Sequence, residues 1–289
     1  MKILVIGNGF IGNEMISRLE AEGHQLIVYS RRQRDGIRGK QIVGDIFDFE
    51  KFIRILSYKP QVIIHTAWIT THNLYTNDPS NSNYSKFTID LADCLLDSDV
   101  EHLIVLGSCA EYGPQIAEST AGITKLNPEN FYAKQKVKAF TAVKEILRES
   151  NVRFTWARIF QPYGPGQDQK RLLPYLIDTL KSGNEVKLIN TSSVLDWVTT
   201  RDIASAVSWI IKGDAPMEVD IGTSIGVSNI DLLRNLEELI GNTSQWRTLT
   251  QQDSSANEIA VVGRSTPLFA SGWVPSDTLK SGLQWVLDS

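Results

Sequence analysis

Ile3-Leu4-Val5-Ile6-Gly7-Asn8-Gly9-Phe10-Ile11-Gly12 decides the fold of this chain. Four apolar residues closed by a glycine read as a strand buried on both faces, the pattern of a parallel sheet. From Ile11 the apolar positions turn helical, with Ile11, Met15, Ile16 and Leu19 on one face and Gly23 as the stop. Between strand and helix stands G-x-G-x-x-G. In that setting Gly7 permits the tight turn, Gly9 lets a pyrophosphate reach the backbone, and Gly12 lets the helix sit close to the strand. The helix N-terminus, at Phe10 and Ile11, turns its amides toward the phosphates. The alternative is a ligand-free turn, but three glycines at this spacing have little purpose without a closely approaching group.

Working outward, residues 26–29, 62–64, 103–106 and 152–157 are further strand candidates. Phe87, Leu91, Leu95 and Leu96 mark one helical face, and 133–148 reads as another helix. Strand alternating with helix at this interval predicts an α/β fold, a Rossmann doubly wound parallel sheet. The alternation loosens after Gln161, where Tyr163-Gly164-Pro165-Gly166 forms a breaker cluster. Beyond it come helices near 172–180, 203–211, 230–240 and 279–286 and a short strand near 186–189. The division is therefore a dinucleotide-binding domain over 1–160 and a smaller mixed α/β substrate lobe over 161–289, some of whose segments return to the first.

The chain has 289 residues, 42% hydrophobic and 21% charged, enough for a real core and against wholesale disorder. With 29 basic and 33 acidic residues the formal charge is −4, so no basic excess points to nucleic acid or an anionic membrane. No stretch approaches the ~18 apolar residues of a membrane span. Cys94 and Cys109 alone support neither a disulfide scaffold nor a multi-cysteine zinc site, and no metal is expected. The reading is a soluble, cytoplasmic protein.

The second strand ends Tyr29-Ser30-Arg31-Arg32, with no acid until Asp35. A carboxylate there serves the ribose hydroxyls of NAD, whereas arginine accommodates a 2′-phosphate. Ser30, Arg31 and Arg32 suit that phosphate and predict NADP(H) over NAD. A solvated basic loop is the alternative, since Arg34 and Arg38 continue the run.

Ser108 follows the apolar strand 103–106, and Tyr132 and Lys136 stand four apart, on one face of a helix. A free tyrosine, with pKa near ~10, is a poor acid or base at neutral pH. A lysine ammonium one turn away favours the phenolate, and Ser108 can hold a substrate oxygen against the phenol. Tyr132 and Lys136 alone fit an ordinary amphipathic surface; with the glycine loop and Ser108 they read as a reactive site.

On these residues the sequence resembles the extended short-chain dehydrogenase/reductases, in the nucleotide-sugar epimerase/dehydratase branch. The likeness continues through Gly44-Asp45-Ile46, where the family's acid holds the adenine, and His65-Thr66-Ala67 beside the cofactor. It extends to Tyr112-Gly113, Arg158 to Gln167, and Gly272-Trp273-Val274-Pro275. It implies hydride transfer at the nicotinamide, the Ser–Tyr–Lys roles above, and cofactor contacts at Asp45, Ile46, Thr66, Ala67, Tyr132 and Lys136. A homodimer through the helices flanking the active-site sheet follows from it too. Dehydratases of this branch carry Asp-Glu after the catalytic hydroxyl residue; here Cys109 and Ala110 stand there, which argues against sugar dehydration. Glu111 reads as structural or rim, and Cys109 as an inert half-buried thiol.

A 4-epimerase recycles its cofactor, while a net reductase takes fresh NADPH, so the arginines favour a ketoreductase. Segments 172–180, 221–227 and 257–260 look like those of CDP-abequose synthase-type 4-ketoreductases. The expected substrate is a nucleotide-linked 4-keto-6-deoxy or dideoxy hexose for surface polysaccharide. Trp68, Thr70, Ser108, Tyr112, Gln161, Arg171 and Leu172 are the substrate-binding candidates; for Trp68, core packing is an equal alternative. Leu195-Asp196-Trp197 lacks the family's nucleotide-binding arginine; Lys170, Arg171, Arg247 and Arg264 are the candidate cations for a diphosphate, with a solvated surface charge the equal alternative for each. His65 reads as structural and His102 as a surface residue. The rivals are an NAD(P)-dependent epimerase and a non-catalytic NADP-sensing protein.

Overall fold

β1 (Lys2–Ile6) sends Ile3 and Val5 to one side of a sheet and Leu4 and Ile6 to the other, and all four are fully buried. The computed structural model describes residues 1–72, 74–114, 118–188, 190–243, 245–248 and 260–289. After β1 come α1 (Phe10–Ala21), β2 (Gln25–Ser30), β3 (Lys40–Val43), α2 (Phe49–Ile53), β4 (Val62–His65), α3 (Asn81–Leu95), β5 (His102–Ser108), α4 (Phe131–Ile146) and β6 (Arg153–Ile159). The chain continues through β7 (Gln161–Tyr163), α5 (Leu172–Lys181), β8 (Val186–Leu188), β9 (Val194–Thr199), α6 (Thr200–Lys212) and β10 (Glu218–Ile221). It ends with β11 (Gly226–Ser228), α7 (Asn229–Ile240), β12 (Trp246–Thr248), β13 (Ala260–Val261), α8 (Thr266–Ala270) and α9 (Leu279–Leu287).

Seven strands form one parallel sheet in the order β10-β6-β5-β4-β1-β2-β3, the doubly wound arrangement expected. The order reverses between β1 and β4, so a crevice opens at their carboxyl ends, where such sheets bind ligands. α1 and α6 cover one face: Met15, Ile16 and Leu19 share a core with Ile203, Ala206, Val207 and Ile210. On the other face α3 and α4 bury Phe87, Leu91 and Leu95 with Ala139, Phe140 and Val143. α6 and β10, from the second half of the sequence, thus belong to the large sheet.

The second half also builds a smaller sheet in which β9 is the hub, paired to β7, β11 and β13. Leu173, Leu176 and Leu180 of α5 and Leu232, Leu233 and Leu236 of α7 make its core with Trp197. Periodicity gave no sign of β9, because Asp196 stands in its middle. That carboxylate is buried and accepts hydrogen bonds from the amides of Thr223, Ser224 and Gly263, so it ties two loops to β9 instead of facing water.

Candidate active site

The glycine loop meets β4 across the crevice. Gly7 has φ +103°, and a Cβ there would lie 2.6 Å from Thr66 Oγ1. The Thr66 hydroxyl lies 3.0 Å from the Ile6 and Gly7 carbonyls, to which it donates. A Cβ on Gly12 would lie 2.2 Å from the Gly7 carbonyl oxygen, so helix and turn touch only because residue 12 is glycine. Gly9 differs: a Cβ there would meet nothing within 4 Å, and the backbone faces open space. α1 has no side-chain cap at Gly9 and no acid in its first turn, which leaves its N-terminal amides for an anion. These residues fit a dinucleotide pyrophosphate.

At the end of β2, Arg31 and Arg32 are exposed and held in no ion pair among the described residues. The Ser30 hydroxyl is buried and donates to the Arg32 carbonyl at 2.8 Å, so it shapes this loop and is not a free donor there. Burial raises the Tyr84 phenol, with the charge of Arg31 opposing and that of Asp45 adding to it. Ile46 is buried, with Asp45 exposed beside it. The Tyr29 hydroxyl fixes the turn by donating to the Asp45 carbonyl.

Ser108 ends β5 and begins a 3-10 turn, its hydroxyl accepting from the Ala110 amide at 3.2 Å. Tyr132 is 8% exposed, in the first turn of α4, capped by the Asn130 side chain. The structure brings these two and Lys136 together. Burial pushes the Tyr132 phenol above its ordinary range, partly offset by a hydrogen bond from Ser108. That is the reverse of the lowering expected from Lys136, whose Nζ stands 5.9 Å from the Tyr132 ring centre. A phenol held above its ordinary range keeps its proton at neutral pH and gives it only to a stronger base, such as an alkoxide. Lys136 is 4% exposed, donates to the Leu106 carbonyl at 2.6 Å, and is lowered to about 7 by burial, with Glu111 opposing.

Glu111 is fully buried behind the site. Its carboxylate accepts from the Ser108 amide at 2.8 Å, the Trp156 indole and Arg158 Nε at 2.7 Å. The rim alternative is thereby excluded: the side chain holds the backbone of Ser108. The Cys109 thiol is pushed up to about 12 by burial first and neighbouring carboxylates second, so it stays an unreactive thiol at neutral pH.

The substrate-side candidates divide. Tyr112 is only 1% exposed, and its hydroxyl donates to Asp220 at 2.7 Å. Trp68 packs edge-on to Tyr132 and lies under Lys136. Arg171 donates to the Thr70 carbonyl at 3.2 Å, and its guanidinium lies over the Tyr75 ring. Leu172, next to it, packs partly buried against the core of the smaller lobe. Gln161 opens β7, paired with Trp197. Arg264 is engaged in an ion pair with Glu118, Lys170 is exposed, and the Arg247 side chain and residues 257–259 lie outside the described residues. Tyr75, in a polar loop with no period to reveal it, packs edge-on to Tyr132 at 5.0 Å and was not found from the sequence.

His65 Nε2 lies 3.0 Å from Thr88 Oγ1, and burial lowers its pKa to about 3, a structural imidazole as expected. His102 is not a surface residue. It is 2% exposed, hydrogen-bonded to Thr155, and accepts from Arg153 at 2.7 Å.

The family model described as the NAD dependent epimerase/dehydratase family matches residues 3–222, and the chain belongs to that family of short-chain dehydrogenase/reductase-type enzymes. It is 28% identical over 309 residues to CDP-abequose synthase of Salmonella typhimurium, covering 99% of this chain and 97% of that protein. It is 23% identical over 307 residues to the low-salt glycan biosynthesis protein Agl12 of Haloferax volcanii, covering 100% of this chain and 98% of the relative. The UDP-glucose 4-epimerase of Thermus thermophilus, solved in complex with NAD, shares the fold at TM-score 0.87 and 20% identity, over 100% of this chain and 98% of that one. Among the described residues no helix is long and apolar enough to cross a membrane, and no group of three or more His, Cys, Asp or Glu is placed to hold a metal ion.

Proposed function

We propose that this chain is an NADPH-dependent 4-ketoreductase. Its substrate is a 4-keto-6-deoxy or dideoxy hexose on a nucleoside diphosphate, made for surface polysaccharide such as O-antigen. The observation that carries this reading is the loop after β2, with Arg31 and Arg32 exposed and no acid until Asp35. A net reductase must draw fresh cofactor each turnover, and a 2′-phosphate is what two free guanidinium groups recognise. Cys109 and Ala110 support reduction over dehydration, because the acid and base for eliminating water are missing from those positions. The similarity to CDP-abequose synthase supports the substrate class.

Bound NADPH would supply the hydride for C4. Gly7, Gly9, Phe10, Ile11 and Gly12 would hold its pyrophosphate, Thr66 and Ala67 its inner half, and Arg31 and Arg32 its 2′-phosphate. Ser108 orients the sugar oxygen and Tyr132, still protonated, gives its proton to the developing alkoxide. Lys136 holds the ribose and keeps positive charge beside the reaction. Residues 1–160 serve mainly the cofactor and 161–289 the sugar nucleotide. A homodimer through α3 and α4, the helices flanking the active-site sheet, completes this reading; their outer faces expose Asp93, Lys134 and Lys138.

The test is NADPH consumption with CDP-, dTDP- and GDP-linked 4-keto-6-deoxysugars. Oxidation with one nucleotide series is the expected result, and Tyr132→Phe should lower it by at least about a hundredfold while retaining NADPH binding. No oxidation with any of them, together with interconversion of fully hydroxylated nucleotide sugars, would make the protein an epimerase. Several relatives carry that name.

A further inference from the structure

We infer that Trp68 is a positioning residue whose indole face holds the Lys136 ammonium in place and keeps it charged. Lys136 Nζ lies 3.8 Å from the centre of the Trp68 ring, contact range for a cation on an aromatic face. The ring is not free to turn away. Its Nε1 donates to Asn81 Oδ1 at 2.7 Å, and it stacks on Tyr84 at 5.6 Å. Asn81 is fully buried and in turn donates to the carbonyls of Tyr75 and Asp78.

The need for that face follows from the surroundings of Lys136. A buried ammonium has three N–H groups to satisfy and a desolvation cost to offset. One N–H goes to the Leu106 carbonyl. The charged or titratable groups that face it are Glu111 from the turn after β5, Tyr132 from its own helix and His65 from β4. Glu111 is already paired with Arg158, Tyr132 keeps its proton, and His65 is neutral. Glu111 raises Lys136 but shares its charge with Arg158, and the Trp156 ring lies farther off, 5.8 Å from Nζ. The Trp68 indole at 3.8 Å is the face in contact with the ammonium, and it leaves the remaining N–H for a ligand.

The consequence for catalysis rests on the reading of Lys136 given above, but the contact is testable in the ligand-free protein. NMR of the lysine Hε–Cε groups, with Lys136→Met to assign the signal, reads both position and charge. In the unsubstituted protein the Lys136 Hε signal should be displaced upfield by the ring current and titrate near neutral pH. Trp68→Leu should abolish the displacement and lower the midpoint by about one pH unit, a tenfold change in proton dissociation. Trp68→Phe, with a smaller aromatic face, should fall between the two and is the variant read where Trp68→Leu does not fold. An undisplaced Lys136 signal in the unsubstituted protein, or an unchanged midpoint in a folded Trp68→Leu or Trp68→Phe variant, would overturn the inference. Neither outcome depends on which sugar nucleotide, if any, is reduced.

Discussion

Arg31 and Arg32 are the residues on which cofactor choice turns. Both are exposed and without an ion-pair partner among the described residues, so removing them leaves no buried charge behind. The double substitution Arg31→Ala, Arg32→Ala should leave melting temperature within a degree or two. NADPH affinity should fall by one to two orders of magnitude, the loss of one or two charge-assisted contacts at about 1.5–3 kcal/mol each. NADH affinity should hold. Fluorescence titration with both cofactors checks this, and equal losses would remove the argument for NADPH. Tyr132 shows why residue type alone misleads. Its lysine neighbour on the helix suggested a lowered phenol, yet burial of the ring outweighs a charge turned toward Trp68 and the Leu106 carbonyl.

At the scale of elements, the turn from β1 into α1 separates two roles that the glycine pattern presents as one. Gly12→Ala would drive a methyl group to 2.2 Å from the Gly7 carbonyl oxygen, a backbone atom that cannot move without opening the turn. The expected cost is on the order of 3 kcal/mol, seen as a lower urea midpoint. Gly9→Ala places its methyl in open space at an ordinary φ of −72°, so the stability cost should be limited to that of a poorer helix N-cap, about 1 kcal/mol at most. Cofactor affinity should nevertheless fall tenfold or more, because that space is where a pyrophosphate would approach the backbone. A Gly9→Ala variant that binds NADPH normally would move the pyrophosphate off this loop.

The whole molecule stores a pH dependence in two histidines that fold in neutral form. Burial first, then the charges of Lys136 and Arg153, lower His65 and His102 to about 3. A histidine with folded pKa below its unfolded value of ~6.5 is neutral in both states above pH 6.5. Between ~6.5 and 3 the unfolded chain binds the proton and the fold does not, so stability drops as pH falls through that window. Asp220, raised to about 7 by burial, acts in the opposite sense, stabilising as pH falls from 7 toward the ordinary carboxylate range. The net slope is therefore a poor measure, and the comparison with His102→Gln isolates one group. The stability advantage of the unsubstituted protein over that variant should shrink by about 1.4 kcal/mol per pH unit below pH 6.5, read by urea unfolding at pH 7 and pH 5. A constant difference would mean that His102 is charged in the fold.

Local pattern sufficed for β1, β2, β4, β5 and β6, for the helices α1, α3 and α4, and for the positions of Gly7, Ser108, Tyr132 and Lys136, but not for the edge strands β3 and β10. Each of those signals is carried by residues close in sequence: an apolar run, a glycine spacing, a four-residue helical interval. What tertiary structure alone decided involves partners far apart in the chain. Asp196 became the buried tie of the small sheet through amides at 223, 224 and 263. Glu111 came to hold Ser108 because Trp156 and Arg158 arrive on the neighbouring strand, and Tyr112 turned inward to Asp220. His102 lost its place at the surface to Thr155 and Arg153. Polar side chains carry no period that tells whether they meet water or one another, and only the packing of distant strands supplies their partners.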